Sequence, residues 1–456
     1  MRIHSGDPLH TRIIASWRAR ASRSKGPRAL ATRVGSLVIA VAILRTPALG
    51  AQLPPFTAVS AGGWHTCAME ASGSLWCWGM NDMGQVGGSG PDRCNLLLEG
   101  FHDVPCAKQA RRVPGDQQWK AVSAGGEHTC ALTGDGGVWC WGSAHNGAIG
   151  APARGECKAA PGAPSQDCVS LPTRVTTESS FVAIASGYVH TCALTASGAV
   201  YCWGRSGWGV LGEAETTSED LLPPTRVAGV PPFTAIVASA FFTAALDSSG
   251  QAWAWGAIDY AAMFDGGRYT PNRTPQPVAP GVSFRSLAAG ARSICGITRE
   301  GATLCWGVLP SRADDAPELR QPPAVHTPVP VGTWGGQRPT EAQRDAWRFR
   351  DVVLGWRQGC GLDAGGQAWC WGAYGAQGFG LSGAFVVTPI VIEPTLVPTP
   401  IGGTQRFTAL SAGMAHVCGL SAEGVVSCWG VGLSGQLGNG RDKSSAAPAP
   451  LKSSSK

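Results

Sequence analysis

Six pairs of cysteines stand ten residues apart along the chain: Cys67 with Cys77, Cys130 with Cys140, Cys192 with Cys202, Cys295 with Cys305, Cys360 with Cys370 and Cys418 with Cys428. Such pairs can hold zinc, cycle as a redox couple or staple a fold. Zinc fits poorly, because this spacing lacks the tight two-to-four-residue knuckle that zinc sites use. Each pair lies in a stretch like "HTCAMEASGSLWCWG" (His65 to Gly79), where two alternating segments flank a Ser-Gly turn. If the hairpin centres on residue 72, Cys67 faces Cys77, with Cβ atoms near disulfide distance. A seventh copy carries Ala244 and Ala254 at the two places. Joint loss is what a bonded pair predicts, whereas free buried thiols in a cytoplasmic chain would not need it. In the chain-entropy picture each staple contributes about 2–3 kcal/mol, an upper figure for a hairpin that is already local.

Four cysteines remain. Cys94 follows Cys77 by 17 residues as Cys157 follows Cys140, and Cys106 precedes Val113 by seven as Cys168 precedes Val175. They read as two disulfide-stapled excursions in equivalent places, with tips at 95–105 and 158–167. Leu96, Leu97, Leu98 and Phe101 in the first tip are candidate binding residues, since ordered loops on a rigid scaffold often carry recognition. Loop stabilisation alone is the competing reading. A second candidate surface is the insertion "TWGGQRPTEAQRDAW" (Thr333 to Trp347), with Trp334 and Arg338, on the opposite rim.

His65, His128, His190 and His416 also share one place in the pattern, filled elsewhere by Phe242, Ser293 and Gln358. Imidazole is a common metal ligand, but equivalent places in different repeats stand far apart, so each histidine is expected to bond the neighbouring repeat's backbone. No metal, cofactor or catalytic constellation is expected: the sequence has no Gly-x-Ser-x-Gly elbow, His-Glu-x-x-His or phosphate loop.

These residues are held by a unit that occurs seven times without a gap over 24 residues, starting at Phe56, Trp119, Phe181, Phe233, Phe284, Phe349 and Phe407. The starts are 51 to 65 residues apart, so variation is confined to the connections. Each unit reads as a short strand, a hairpin and a proline-bearing fourth segment such as "PTRV", suited to a sheet edge. Composition agrees: 63 glycines, 33 prolines, 18 tryptophans and 14% charged residues suit short strands and tight turns. Four strands in each of seven units predict an all-β, seven-bladed β-propeller of four-stranded blades with intra-blade disulfides, spanning 52–440, with 441–456 as a closing segment and tail. Trp78, Trp141, Trp203, Trp255, Trp306, Trp371 and Trp429 alternate with the second cysteine and are expected to fill the space between blades.

The motifs "A-G-x-x-H-T-C-A-L", "WG" and "GQVG" (Gly84 to Gly87), with "GAIG", "GVLG" and "GQLG" in later units, resemble the regulator of chromosome condensation repeat family. The resemblance covers roughly residues 52–440 and implies the same seven-bladed ring. The family's founding activity is nucleotide exchange on a nuclear small GTPase, which a secreted chain does not meet. Secreted bacterial members include an inhibitor that clamps β-lactamases with one face of the ring, which implies protein binding here. The sialidase aspartate-box spacing is not met.

The first fifty residues hold nine Lys/Arg and one acid, followed by the apolar run Val34 to Leu44 and small residues at Ala48, Gly50 and Ala51. That is the layout of a secretory signal within 1–51, with an apolar run too short to span a bilayer. Removing its nine bases and one acid from totals of 36 and 30 leaves 27 and 29, a net of −2. A near-neutral mature chain has no electrostatic footprint for nucleic acid. The expectation is a secreted or extracytoplasmic monomer that binds another extracellular or envelope protein through rim loops. An enzyme acting on polysaccharide at the central opening and a structural envelope or adhesion protein are the alternatives.

Overall fold

Strand alternation and glycine-punctuated turns produce the predicted sheets. The computed structural model of the chain describes residues 52–94, 103–158, 164–213, 221–257, 272–307, 325–334, 337–372, 377–379, 385–387 and 395–453. In the first unit the strands are β1 (Phe56–Ala61), β2 (His65–Glu70), β3 (Leu75–Met80), β4 (Asp92–Cys94) and β5 (Val104–Arg112), ordered β1-β2-β3-β5-β4. The remaining units repeat the antiparallel four-strand meander, and the second also carries an extra short strand, Gly155–Lys158, outside its fourth. Seven such sheets form a seven-bladed β-propeller.

The hairpin between β2 and β3 shows how the repeat encodes its turn. Gly73 has φ 80°, a left-handed conformation that glycine adopts without steric cost. Its amide donates to the Glu70 carbonyl at 2.9 Å, and its own carbonyl accepts from Trp119 of the next blade at 3.0 Å. The "WG" step has an equally local cause. A bulge separates Cys77 from Gly79 in the pairing with β5, and Gly79 sits at φ 105° against the Trp64 carbonyl.

Register brings Cys67 opposite Cys77 and, in the fourth blade, Ala244 opposite Ala254. All six hairpin pairs are bonded as the spacing predicts: Cys67 with Cys77, Cys130 with Cys140, Cys192 with Cys202, Cys295 with Cys305, Cys360 with Cys370 and Cys418 with Cys428. Their Cα–Cα separations are 4.0–4.1 Å, the short spacing of a non-hydrogen-bonded antiparallel pair. The excursion cysteines are bonded too, Cys94 to Cys106 with Cα atoms 6.0 Å apart and Cys157 to Cys168 at 5.8 Å. No described cysteine is free.

Each hairpin disulfide faces the tryptophan of the following blade. Cys67 and Cys77 pack with Trp119 and Trp141, and Cys192 and Cys202 with Phe233 and Trp255. Cys295 and Cys305 pack with Phe349 and Trp371. Cys418 and Cys428 pack with Phe56 and Trp78 across the junction between the seventh and first blades. In the fourth blade Ala244 and Ala254 meet Phe284 and Trp306 in the same way. The core is thus a ring of inter-blade layers, and every layer needs both neighbours.

Closure uses the C-terminal segment. Ser445–Pro450 pairs with Val426–Gly430 as the seventh blade's fourth strand, so the propeller reaches residue 450 and each blade takes its four strands from one stretch of the chain. In the sixth blade the fourth strand is Thr395–Ile401, and register matches Thr399 to Cys370. The proline-bearing segment there is therefore 398–401. Phe56 donates to the Gly424 carbonyl at 2.9 Å and Lys108 pairs with Asp442 at 2.9 Å, tying the first blade to the last. Residues 1–51, including the expected signal, lie outside the described residues.

Candidate binding face and axial cavity

A four-strand meander places its links at two ends. The first-to-second and third-to-fourth strand links share one end of the ring; the hairpin turns and the links between blades share the other. Both stapled excursions belong to third-to-fourth strand links, and the insertion at 333–347 is an inter-blade link, so they stand at opposite ends as the sequence suggested. Leu96, Leu97, Leu98 and Phe101 lie outside the described residues.

Trp334 corrects an expectation. It is 5% exposed and packs against Trp371, with centroids 6.1 Å apart, alongside buried Trp347 and Phe349. Two tryptophans of the insertion fill the layer between the fifth and sixth blades, so Trp334 is core and offers no contact surface. Arg338 is exposed, two residues before Thr340, which caps the short helix α1 (Glu341–Ala346).

The histidines correct another. His65 Nε2 lies 2.7 Å from Thr129 Oγ1, His128 Nε2 2.8 Å from Thr191, His190 Nε2 2.9 Å from Thr243 and His416 Nε2 2.8 Å from Thr66. The partner is the next blade's threonine side chain, and its backbone plays no part in the bond. Each threonine hydroxyl in turn donates to a carbonyl: Gln85 at 2.8 Å, Ala148 at 2.8 Å, Val210 at 3.0 Å and Gln436 at 3.1 Å. The repeat's buried tryptophan donates to that same carbonyl, as Trp141 does to Gln85 at 3.0 Å and Trp203 to Ala148 at 2.9 Å. A hydroxyl has one proton. Because the threonine directs it to the carbonyl, the histidine must donate from Nε2, which assigns the tautomer. Burial holds these imidazoles neutral, with His65, His190 and His416 lowered to about 3 and His128 to about 4.

This relay was legible. Histidine and threonine are adjacent in three units, but the fourth has "FT" (Phe242, Thr243) and the seventh "HV" (His416, Val417). The mismatch at the two ends of the run shows that a histidine is matched to the threonine one blade later.

The first strands line an axial cavity of about 230 Å³, walled by Ser60, Ala61, Gly62 and their counterparts in all seven blades. Backbone bonds gird it: Gly63 donates to Gly125 at 2.8 Å, Gly126 to Gly187 at 3.0 Å, Trp356 to Met414 at 3.0 Å and, across the closure, Met414 to Gly62 at 3.2 Å. A Cβ at Gly62 would collide with the Gly125 carbonyl, and glycine stands at this place in every blade but the fourth, which has Ser239. The wall carries hydroxyl, backbone and apolar groups and no carboxylate among the described residues.

At the mouth on the stapled side the lining turns large. Tyr188, Leu354, Trp356 and Met414 border the cavity. Phe241 links Trp356 to Trp208, with centroids 5.9 Å and 5.0 Å away. Trp208 takes a left-handed φ of 63°, a strained conformation for so large a side chain. Also at the mouth, Tyr188 Oη donates to Glu127 Oε1 at 3.3 Å. Nearby Asp82 is 2% exposed. Burial raises Asp82 to about 6 and Glu127 to about 8, the latter helped by the Asp82 charge. Sequence reasoning missed this pair because Asp82 and Glu127 belong to different blades, and no other unit has a glutamate at the place of Glu127.

The Regulator of chromosome condensation (RCC1) repeat matches residues 56–85, 119–148 and 181–207 in one form and 72–132 and 197–246 in another. The chain belongs to the RCC1-like repeat family. Among curated relatives of this RCC1-like propeller, the regulator of chromosome condensation of Mus musculus is 25% identical over 92% of the chain and 82% of its own length. The ultraviolet-B receptor UVR8 of Arabidopsis thaliana is 26% identical over 84% and 78%. The mitochondrial RCC1 domain-containing protein RUG3 of the same plant is 29% identical over 55% of the chain, which spans 53% of that relative. Among solved structures, human WBSCR16 aligns with a TM-score of 0.63 at 16% identity over 83% of the chain and 94% of its own. Yeast RCC1 (Prp20), solved bound to Kap60, aligns at 0.57 and 20% identity over 81% of each. These two show the shared fold. RCC1-like propellers of this group act in protein binding or regulation. No described helix is long and apolar enough to cross a membrane.

Proposed function

We propose that the chain is exported and works as a protein-binding module through the end of the ring that carries the two stapled links. One observation carries the reading: both extra disulfides, Cys94–Cys106 and Cys157–Cys168, are added at that end and to neighbouring blades. The blade interiors are repeated, so what distinguishes this ring lies in its links, and cross-linked links present a preordered surface at lower entropic cost. Yeast RCC1, which shares the fold, was solved with Kap60 bound and is a parallel for a protein-binding role. Export is supported by the basic lead, the apolar run Val34 to Leu44 and eight disulfides, which persist in oxidising compartments.

The test is a capture experiment from the native secreted and envelope fractions. The bait is the intact chain, compared with a variant whose segments 95–105 and 158–167 are replaced by Gly-Ser. A partner retained by the first and lost by the second is expected, and unchanged capture refutes the assignment of that end. The mature N-terminus, read by mass spectrometry on exported protein, is expected near residue 51; a mature protein that keeps residues 1–50 refutes the signal.

A further inference from the structure

The mouth of the axial cavity at this same end has an acid side with no counter-charge among the described residues. We propose that this side, Glu127 with Asp82 behind it, receives the cationic head of an arginine or lysine side chain from the partner. The inference deepens the protein-binding reading and rests on it for the source of that side chain.

The two acids meet because blades interlock. Asp82 opens the third-to-fourth strand link of the first blade, and Gln85, three residues on, gives its carbonyl to Thr129 and Trp141 of the second. Glu127 is two residues before Thr129. The link is thereby pinned over the loop that carries Glu127.

The acids keep unused acceptor capacity. Asp82 Oδ1 accepts from Gln85 Nε2 at 2.8 Å, but Oδ2 is buried with no hydrogen bond among the described residues. The hydroxyl of Ser143, a residue 4% exposed, faces the Glu127 carboxyl. Among the described residues no cation pairs with either acid. Burial favours the protonated form of both acids, Glu127 the more strongly, and an incoming cation would favour the ionised form and gain a charge-assisted bond to it.

The surroundings select the kind of cation. A dehydrated hard metal wants six or more oxygen ligands, and among the described residues no three acid, imidazole or thiol groups gather. A guanidinium or ammonium needs fewer contacts. Glu127 is part-exposed and can accept directly, whereas Asp82 supplies field from behind. The Tyr188 ring, lying over Gly126, offers a π-face beside Glu127. Leu354, Trp356 and Met414 border the rest of the mouth and can cover an alkyl stem.

The probe is butylguanidinium, titrated into the purified intact chain and followed by calorimetry and tryptophan fluorescence. Single-site saturation with a Kd on the order of 1 mM is expected, the scale of one small anchored group. Glu127→Gln should weaken it about tenfold or more, and Asp82→Asn, which leaves the contact group in place, by a smaller factor. Asp135→Asn, in a hairpin turn at the other end of the ring, should leave it unchanged. Equal affinity in Glu127→Gln, equal binding of uncharged pentanol, or displacement by stoichiometric calcium each overturns the proposal. Folding of each variant is checked by its full set of disulfides; if Glu127→Gln misfolds, Asp82→Asn decides alone. Capture and probe binding fail separately: absent probe binding with a retained partner sinks only the cation pocket.

Discussion

The clearest test of the inter-blade relay is a double-mutant cycle at the first interface. Thr129→Val keeps the volume but removes the oxygen that accepts from His65 at 2.7 Å. The Gln85 carbonyl keeps its bond from Trp141 at 3.0 Å, so the main consequence is a fully buried His65 N–H with no acceptor. An orphaned buried donor costs about 1–3 kcal/mol. His65→Phe is milder, because Thr129 still donates to Gln85 at 2.8 Å and loses only an incoming bond. In the double variant no donor is stranded, so adding His65→Phe to Thr129→Val should recover stability. The chain contains its own precedent: Phe242 and Ile294 occupy these two places between the fourth and fifth blades. The coupling should be about 1–2 kcal/mol, or about 2 °C in Tm for a chain of this size. The assay is thermal unfolding of the four proteins at neutral pH without reductant. Tm losses that simply add, with no recovery in the double variant, would refute the reasoning.

The same variants predict an acid response. Because burial depresses the histidine pKa values below the unfolded 6.5, the folded chain favours neutral imidazole, and that stability is lost as pH falls from about 6.5 toward 3–4. Each histidine should cost about 2 kcal/mol at pH 5 relative to pH 7. Asp82 and Glu127, raised by burial, act in the opposite sense and gain stability as pH falls from about 8. The His65→Phe/Thr129→Val protein should therefore lose less Tm between pH 7 and pH 5 than the wild type; identical profiles would remove the histidines from the acid limb. Replacing Cys360 and Cys370 together by alanine should preserve the fold, as Ala244 and Ala254 do in the fourth blade, at a cost of about 2–3 kcal/mol. Mass spectrometry should still find seven disulfides, and scrambled pairs would show that the staple directs folding.

Cys67 and Cys77 were readable as partners because both lie in one hairpin, where the turn sets the register. The same holds for Cys202 and Cys305, each bonded to the cysteine ten residues before it. Trp78 was readable as blade filling because strand alternation sends it to the face opposite Cys77. His65 was readable as buried, and its threonine was spelled out by the "FT" and "HV" units, yet the backbone seemed the natural partner within a single repeat. Trp334 looked like a loop contact because nothing local shows that the layer between the fifth and sixth blades has room for two more tryptophans.

The sequence alone determines the seven blades, their four-strand pattern and the intra-blade staples, since alternation and strand pairing within a blade need contacts only inside one repeat unit. What the ring decides is which side chains meet between blades. Thr66 and His416 are 350 positions apart, and Asp82 meets Glu127 only because one blade's link is pinned across the next. Those contacts depend on the lateral offset of neighbouring sheets and on closure of the circle, and neither is written inside any one repeat.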